Sequence, residues 1–174
     1  VGFVEKEKII DGKNVSKGDV LIGFKSTGLH TNGYSLARKV LLKKFKLSDQ
    51  PEELSANLGE ELLHVHKSYL HIITELKEKI NVKAFSHITG GGIVGNTKRV
   101  VPERLSIKID WNAWTVPGIF KLIQKTGNIS DEEMRKAFNI GIGLIAVVSS
   151  EDVNNTIAIC NSVNEEAIII GEIK

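Results

Sequence analysis

The sequence has a single cysteine, Cys160, among its 174 residues, which excludes an internal disulfide framework and is typical of a cytoplasmic protein. No apolar run approaches the roughly 20 residues that a membrane-spanning helix needs, and no basic-then-apolar segment of the secretory type opens the chain. The chain also has little excess of charge of either sign, since its formal net charge is only +2. We therefore expect a cytoplasmic protein that binds neither membranes nor nucleic acid.

The chain is long enough for one well-buried domain, and its 41% hydrophobic and 25% charged residues are the balance of a globular protein. Short apolar runs and amphipathic segments alternate along it, but not in strict βαβ order. This pattern predicts an α/β fold of α+β character, with a mixed sheet and flanking helices. Weak alternation at 1–10 predicts one further strand, and the abrupt start without methionine indicates a piece of a longer protein.

The first candidate site is the loop 26–33, which joins a predicted strand at 20–24 to a predicted helix at 34–45. Ser26, His30, Thr31 and Asn32 supply hydroxyls, an imidazole and an amide where open α/β sheets tend to bind ligands. Free N–H groups at the start of the helix suit an anion such as a phosphate. The alternative is a turn whose polar side chains only cap the helix, and the residues alone do not decide between the two.

Three consecutive glycines, Gly90 to Gly92, form the second candidate site. They leave no side chain in the way of a ligand, and their amides can surround phosphate oxygens. His87, Thr89 and Asn96 flank the run with further polar chemistry. The alternative is a sharp bend that glycine merely permits.

The same segment satisfies the dinucleotide pattern G-x-G-x-x-G at Gly90, Gly92 and Gly95, and Asp110 falls 20 residues beyond the first of them. A nucleotide-binding oxidoreductase is therefore an alternative prediction. Against it, Pro102 leaves only a short helix before the next strand, where a Rossmann unit needs a long one. No Gly-Lys-Ser/Thr follows, so the segment is not a Walker A loop.

The third candidate site is 134–144, where a predicted helix ends near Asn139 and Gly141 leads into a buried strand. Asn139 there is either a ligand-binding amide or a helix cap. His64, His66 and His71 invite a metal-binding interpretation, which the sequence disfavours because residues two apart point to different sides of the helix predicted over 65–80. No His-Glu-x-x-His spacing is present either, so we predict no metal site.

Together and in this order, the three segments resemble the aminoimidazole ribonucleotide synthetases (phosphoribosylformylglycinamidine cyclo-ligases). The most specific stretch is His-Thr-Asn-Gly-Tyr-Ser-Leu-Ala-Arg at 30–38, which separates that family from fold relatives such as thiamine-monophosphate kinase and the hydrogenase-maturation dehydratase. Further matches lie at 18–23, at His-Ile-Thr-Gly-Gly-Gly (87–92), at 134–144 and at 170–173. The resemblance covers essentially the whole chain.

This resemblance implies that the chain is the C-terminal half of a cytoplasmic, homodimeric enzyme. Residues 1–14 would end the N-terminal ATP-binding domain with its linking strand, and 15–174 would form the substrate-binding domain. The implied reaction is the cyclisation of formylglycinamidine ribonucleotide: ATP phosphorylates the formyl oxygen, a ring nitrogen attacks that carbon, and phosphate leaves. Most ligands of ATP and Mg²⁺ would lie in the other half, so the isolated fragment should be inactive.

Carried over by position, His30 and His87 are implied to be catalytic, orienting the substrate or stabilising charge. The residues implied to bind substrate or phosphate are Ser26, Thr31, Asn32, Thr89, Gly90, Gly91, Gly92, Asn96, Asn139 and Gly141. The sequence departs from the family pattern at 65–67, where Val-His-Lys replaces Pro-Thr and a basic residue. A second alternative is another ATP-dependent enzyme of the same superfamily that phosphorylates an amide or a small acid.

Overall fold

The computed structural model describes residues 3–174, which contain five strands and seven α-helices. The strands are β1 (Val20–Lys25), β2 (Ala84–His87), β3 (Ile107–Ile109), β4 (Ile142–Val148) and β5 (Ala167–Ile173). The helices are α1 (Tyr34–Leu41), α2 (Leu58–Leu62), α3 (Leu70–Lys79), α4 (Gly92–Thr97), α5 (Gly118–Gly127), α6 (Asp131–Ala137) and α7 (Val153–Ser162). Within this part of the chain, no helix is long and apolar enough to cross a membrane.

The five strands form one sheet in the order β2-β4-β1-β5-β3, and every neighbouring pair is antiparallel. The predicted α+β character with flanking helices is confirmed, but the sheet is antiparallel throughout rather than mixed. The difference has a physical reason: local patterning locates strands, whereas strand direction depends on which distant segments pair.

The interior strand β4, between β2 and β1, is buried along its whole length because helices cover both faces of the sheet. Successive side chains of a strand point to opposite faces, so Ile145 and Val147 pack with α1 and α5, whereas Leu144 and Ala146 pack with α3 and α7. Cys160 on α7 is fully buried in the second of these clusters.

The strand predicted at 1–10 is absent from the described residues 3–10, where Lys6–Lys8 form a single 3-10 turn. Residues 1 and 2 lie outside the described part. A strand is stabilised by a neighbour that pairs with its N–H and C=O groups, and residues 3–10 pair with none of the five strands. The assignment of 1–14 to a preceding domain stays a prediction.

The helix predicted over 65–80 begins five residues later, at Leu70, and 64–69 is an irregular connection between α2 and α3. This connection is held at both ends. The Thr27 hydroxyl donates to the Val65 carbonyl at 2.7 Å, and the Lys67 ammonium pairs with Glu165. His64 and His66 therefore lie on a loop, and the helical argument against their acting together does not apply to them.

Candidate active site

The three candidate segments converge at one end of the sheet. Because β4 lies antiparallel between β1 and β2, the last residues of β1 and β2 stand beside the first residues of β4: Lys25 pairs with Ile142, and His87 with Leu144. The loop after β1, the glycine loop after β2 and the turn before β4 are thus neighbours. The structure therefore brings the three motifs together.

Asn139 ties the turn before β4 to the loop after β1. Its side chain is only 3% exposed, and its Nδ2 donates to the carbonyls of Gly28 and Leu29 at 2.9 and 3.3 Å. Its Oδ1 accepts from the Gly141 N–H at 2.8 Å and from the Ser26 hydroxyl at 3.1 Å. An amide offers two donors and two acceptor lone pairs, so all four are used within the chain. A direct contact of Asn139 with substrate stays a prediction.

Two of the three amides of the glycine loop are already used in hydrogen bonds within the chain. The Gly91 N–H donates to the Lys136 carbonyl at 3.1 Å, and the Gly92 N–H donates to the Thr89 carbonyl at 3.2 Å. Among residues 3–174, the Gly90 N–H has no such acceptor. In this conformation, the predicted binding of phosphate by three amides is open to Gly90 alone.

Asn96 fixes the shape of this loop from inside. It is 4% exposed, its Nδ2 donates to the Gly92 carbonyl at 2.8 Å, and its Oδ1 accepts from the Thr89 hydroxyl at 3.1 Å. Gly92 has a φ of +67°, and a Cβ there would overlap the Arg135 carbonyl. Glycine is therefore required at this position for both conformation and space.

His30 is buried beneath the loop, with 5% of its surface exposed. Its Nε2 accepts the Thr27 N–H at 3.1 Å, and its Nδ1 has no hydrogen-bond partner among the described residues. The backbone φ of His30 is +60°, a conformation that costs a non-glycine residue energy and that concentrates at functional sites. Gly143 makes room for the ring, since a Cβ there would lie 2.7 Å from His30 Cε1 and would overlap Tyr69 Oη.

His66 completes a three-histidine cluster that the sequence did not predict. Its ring stacks on His30 with the centroids 3.9 Å apart and the planes 19° from parallel. On its other side, His66 Nε2 lies 3.3 Å from His87 Nε2. One ring nitrogen from each of the three histidines lies within 4.8 Å of the other two.

Burial sets the charge of this cluster. It lowers the pKa of His30 from 6.5 to about 4, with smaller contributions from His66, His87 and Lys67. The same two causes, burial first and His66 second, lower the pKa of His87. Burial also raises the pKa of Tyr69, whose hydroxyl donates to the Lys25 carbonyl at 2.9 Å. The site therefore presents neutral rings of His30 and His87 near pH 7.

The geometry contradicts the dinucleotide-binding alternative. The glycine loop follows β2 and Asp110 follows β3, and these strands are the two opposite edges of the sheet. A Rossmann site needs adjacent parallel strands joined by a long helix, whereas α4 has six residues and leads into the 3-10 turn Lys98–Val100. The oxidoreductase prediction is wrong for this reason.

Comparison with known proteins places this arrangement. Residues 16–174 match the family described as "AIR synthase related protein, C-terminal domain". The chain belongs to this family. It is 47% identical over 175 residues to the phosphoribosylformylglycinamidine cyclo-ligase of Alkaliphilus oremlandii (strain OhILAs), covering 99% of this chain and 51% of that relative. The cyclo-ligase of Thermoanaerobacter sp. (strain X514) is 45% identical, with 99% and 52% covered. The chain thus spans about half the length of these relatives.

Solved structures of low sequence identity share the fold of this AIR synthase related domain. Thiamine-monophosphate kinase from Stenotrophomonas maltophilia K279a superposes with a TM-score of 0.62 at 11% identity, over 98% of this chain and 52% of that one. The hydrogenase maturation protein HypE of E. coli gives 0.58 at 18% identity, over 93% and 45%. T. maritima PurL complexed with FGAR gives 0.55 at 18% identity, over 97% and 26%.

The remaining predicted residues of this AIR synthase related domain differ in accessibility. Thr31 and Gly90 are exposed, and Asn32 is half-buried with its Oδ1 3.6 Å from where a Cβ of Gly90 would stand. The loop after β1 and the glycine loop therefore approach each other at Asn32 and Gly90. Ser26 is half-buried, and its single hydroxyl proton is shared between the Gly28 carbonyl at 3.0 Å and Asn139 Oδ1 at 3.1 Å.

Three further residues belong to the site but were not predicted there: His66, Tyr69 and Arg99. Two sequence signals pointed to His66: the metal-binding interpretation of His64, His66 and His71, which was set aside, and the departure from the family pattern at 65–67. Arg99 lies with its Nη2 3.8 Å from the position of a Cβ on Gly91, and no acidic partner pairs with it within residues 3–174. It places a positive charge beside the glycine loop.

Proposed function

We propose that this chain is the C-terminal half of a phosphoribosylformylglycinamidine cyclo-ligase, which uses ATP to convert formylglycinamidine ribonucleotide into aminoimidazole ribonucleotide in purine biosynthesis. The full-length protein is proposed to be a cytoplasmic homodimer. The observation that carries this proposal is the similarity of 99% of the chain, at 44–47% identity, to curated cyclo-ligases from several bacteria. The convergence of the three predicted motifs on one end of the sheet supports it.

The phosphate of a sugar phosphate fits the glycine loop. Gly90 offers a free N–H, Arg99 supplies a positive charge beside the loop, and Asn32 faces it from the first loop. Charge-assisted hydrogen bonds of this kind are the strong ones in phosphate recognition. These groups would hold one end of the substrate while its formyl group reaches the histidines.

The histidines suit the proton transfer that ring closure requires. The attacking nitrogen loses a proton as it bonds to the activated carbon, and phosphate leaves with the oxygen that ATP phosphorylated. A neutral imidazole can accept that proton. His87 is exposed at the end of β2 and neutral near pH 7, so we assign it this role. His30, buried behind His66, would orient the stack and exclude water from the activated group.

Mg²⁺ does not fit the donors of this half. Mg²⁺ prefers oxygen ligands, above all carboxylates, and the site offers imidazoles, amides, hydroxyls and a guanidinium. We therefore place the ligands of Mg²⁺ and the ATP-binding residues in the other half of the full-length protein. No step of the reaction is assigned to Mg²⁺ on this chain.

The test is an assay of the full-length protein that contains this chain. Incubation with formylglycinamidine ribonucleotide, ATP and Mg²⁺ should yield aminoimidazole ribonucleotide and one ADP per product. Formation of ADP without ring closure, or with another amide or small acid as the required substrate, would favour the alternative of a different ATP-dependent enzyme of the same superfamily. No product from folded, full-length protein would refute the cyclo-ligase proposal.

A further inference from the structure

The three-histidine cluster has the composition of a transition-metal site. His30 comes from the loop after β1, His66 from the connection before α3 and His87 from the end of β2. No carboxylate or thiol belongs to the group, and Cys160 is buried in the core on α7. Imidazole suits Zn²⁺, Cu²⁺, Ni²⁺ and Co²⁺, whereas Mg²⁺ and Ca²⁺ require oxygen ligands.

The spacing of two of these rings matches one shared ion. His66 Nε2 and His87 Nε2 are 3.3 Å apart. Two imidazole nitrogens on a tetrahedral zinc ion, each about 2.0–2.1 Å from it, stand about 3.3–3.4 Å from each other. The distance between these two nitrogens is therefore already that of two ligands of one ion.

The third ring, that of His30, has a buried nitrogen without a hydrogen-bond partner within residues 3–174. His30 is 95% buried and its Nδ1 has no partner among the described residues, a situation that costs about 1–3 kcal/mol for a polar group without a hydrogen bond. Ligation through Nδ1 would place the ring proton on Nε2, so the Thr27 amide would have to release Nε2. Thr27 is exposed, and water can accept its N–H instead.

One rearrangement is needed for all three rings to bind together. A metal ion lies in the plane of each imidazole that binds it, and the His30 and His66 rings are stacked nearly parallel. His66 must turn off the stack. It lies on the irregular connection 64–69 and is half-buried, which leaves it more freedom than the rings on strands and buried loops have.

We propose that His30, His66 and His87 form a binding site for one borderline divalent transition cation, with Zn²⁺ as the representative ion. Three protein nitrogens leave a fourth tetrahedral position for water or for an oxygen of a bound ligand, the arrangement of a zinc site that stays accessible. The proposal does not rest on the cyclo-ligase activity, because its test measures the ion itself.

The experiment uses untagged full-length protein stripped of metal by a chelator. Titration with Co²⁺ should produce the visible absorption of a tetrahedral site, and calorimetric titration with Zn²⁺ should give one tight site per chain that contains this cluster. In His66→Phe, which keeps a planar ring for stacking but removes both nitrogens, the affinity for Zn²⁺ should fall at least about a hundredfold.

Matched controls come from the two other histidines of the chain. His64 and His71 are exposed and lie outside the cluster, so His64→Phe and His71→Phe should bind Zn²⁺ as the wild type does. Should His66→Phe fail to fold, His87→Phe replaces it, since His87 is exposed at a strand end. The proposal is overturned if the stripped wild type binds no Zn²⁺, or if the cluster variants bind it as tightly as the controls.

Discussion

Replacing Asn139 by alanine should destabilise the protein, because the buried side chain of Asn139 joins two loops of the site by hydrogen bonds. The substitution removes two donors and two acceptors from a side chain that is 3% exposed. The Gly28 carbonyl keeps the Ser26 hydroxyl as a donor, but the Leu29 carbonyl and the Gly141 N–H lose a partner. Each buried group left unsatisfied costs about 1–3 kcal/mol, so Asn139→Ala should lower the free energy of unfolding by about 3–5 kcal/mol. That is a large part of the 5–15 kcal/mol typical of a domain.

Urea denaturation of the full-length protein measures this loss. Asn161→Ala is the matched control, because Asn161 is exposed on α7 and its side chain makes no hydrogen bond within the described residues. It should change the free energy of unfolding by no more than about 0.5 kcal/mol. A loss below about 1 kcal/mol in Asn139→Ala, together with weaker substrate binding, would refute the structural role and favour the predicted contact with substrate.

Gly143→Ala should lower the free energy of unfolding by about 1–3 kcal/mol, and with it the thermal midpoint, because the added methyl would overlap Tyr69 Oη. Gly95→Ala is the control and should not lower the midpoint, because no other part of the described chain lies within 4 Å of the added methyl. In the full-length protein, His30→Ala should lower turnover at least about a hundredfold if the ring acts in the transition state. His71 is exposed, so His71→Ala should leave turnover unchanged. Unchanged turnover in His30→Ala would remove His30 from the mechanism. The depressed pKa of His30, about 4 against 6.5, means that the unfolded chain binds more protons between these values. Stability should therefore fall by about 2 kcal/mol through this group between about pH 7 and pH 5. Urea titrations with a chelator present should show that this part of the fall is missing in His30→Ala, and equal pH dependence in both proteins would contradict the assignment.

The sequence predicted the elements of the core well because their signals are local. The strand predicted at 20–24 is β1, and the buried strand predicted after Gly141 is β4. Local signals do not determine strand direction. The prediction of a mixed sheet failed because the four pairings join residues from 57 (His87 to Leu144) to 152 (Val20 to Glu172) positions apart, a distance over which periodicity carries no information.

For the site, the sequence predicted which segments carry polar side chains but not which groups those side chains bond to. Asn96 and Asn139 look like ligand-binding amides in the sequence, and the fold gives most of their hydrogen bonds to the backbone around them. His66 was discounted on the assumption of a helix that in fact begins at Leu70. The apolar spacing continues into 65–69 without forming a helix, because Thr27 and Glu165 hold this connection instead.

The proposed catalytic role of His87 and the proposed metal site both use the Nε2 atom of His87. An imidazole nitrogen that binds a cation cannot accept a proton, so a Zn²⁺ ion on His87 Nε2 would prevent His87 from acting as the base in ring closure. Zn²⁺ at one equivalent per chain should then inhibit the full-length enzyme, and the inhibition should follow occupancy of the site. It should be weaker in His66→Phe and unchanged in His64→Phe. Full turnover with the site saturated would separate the proposals: the ion would bind, and the proton of ring closure would go to a group other than His87.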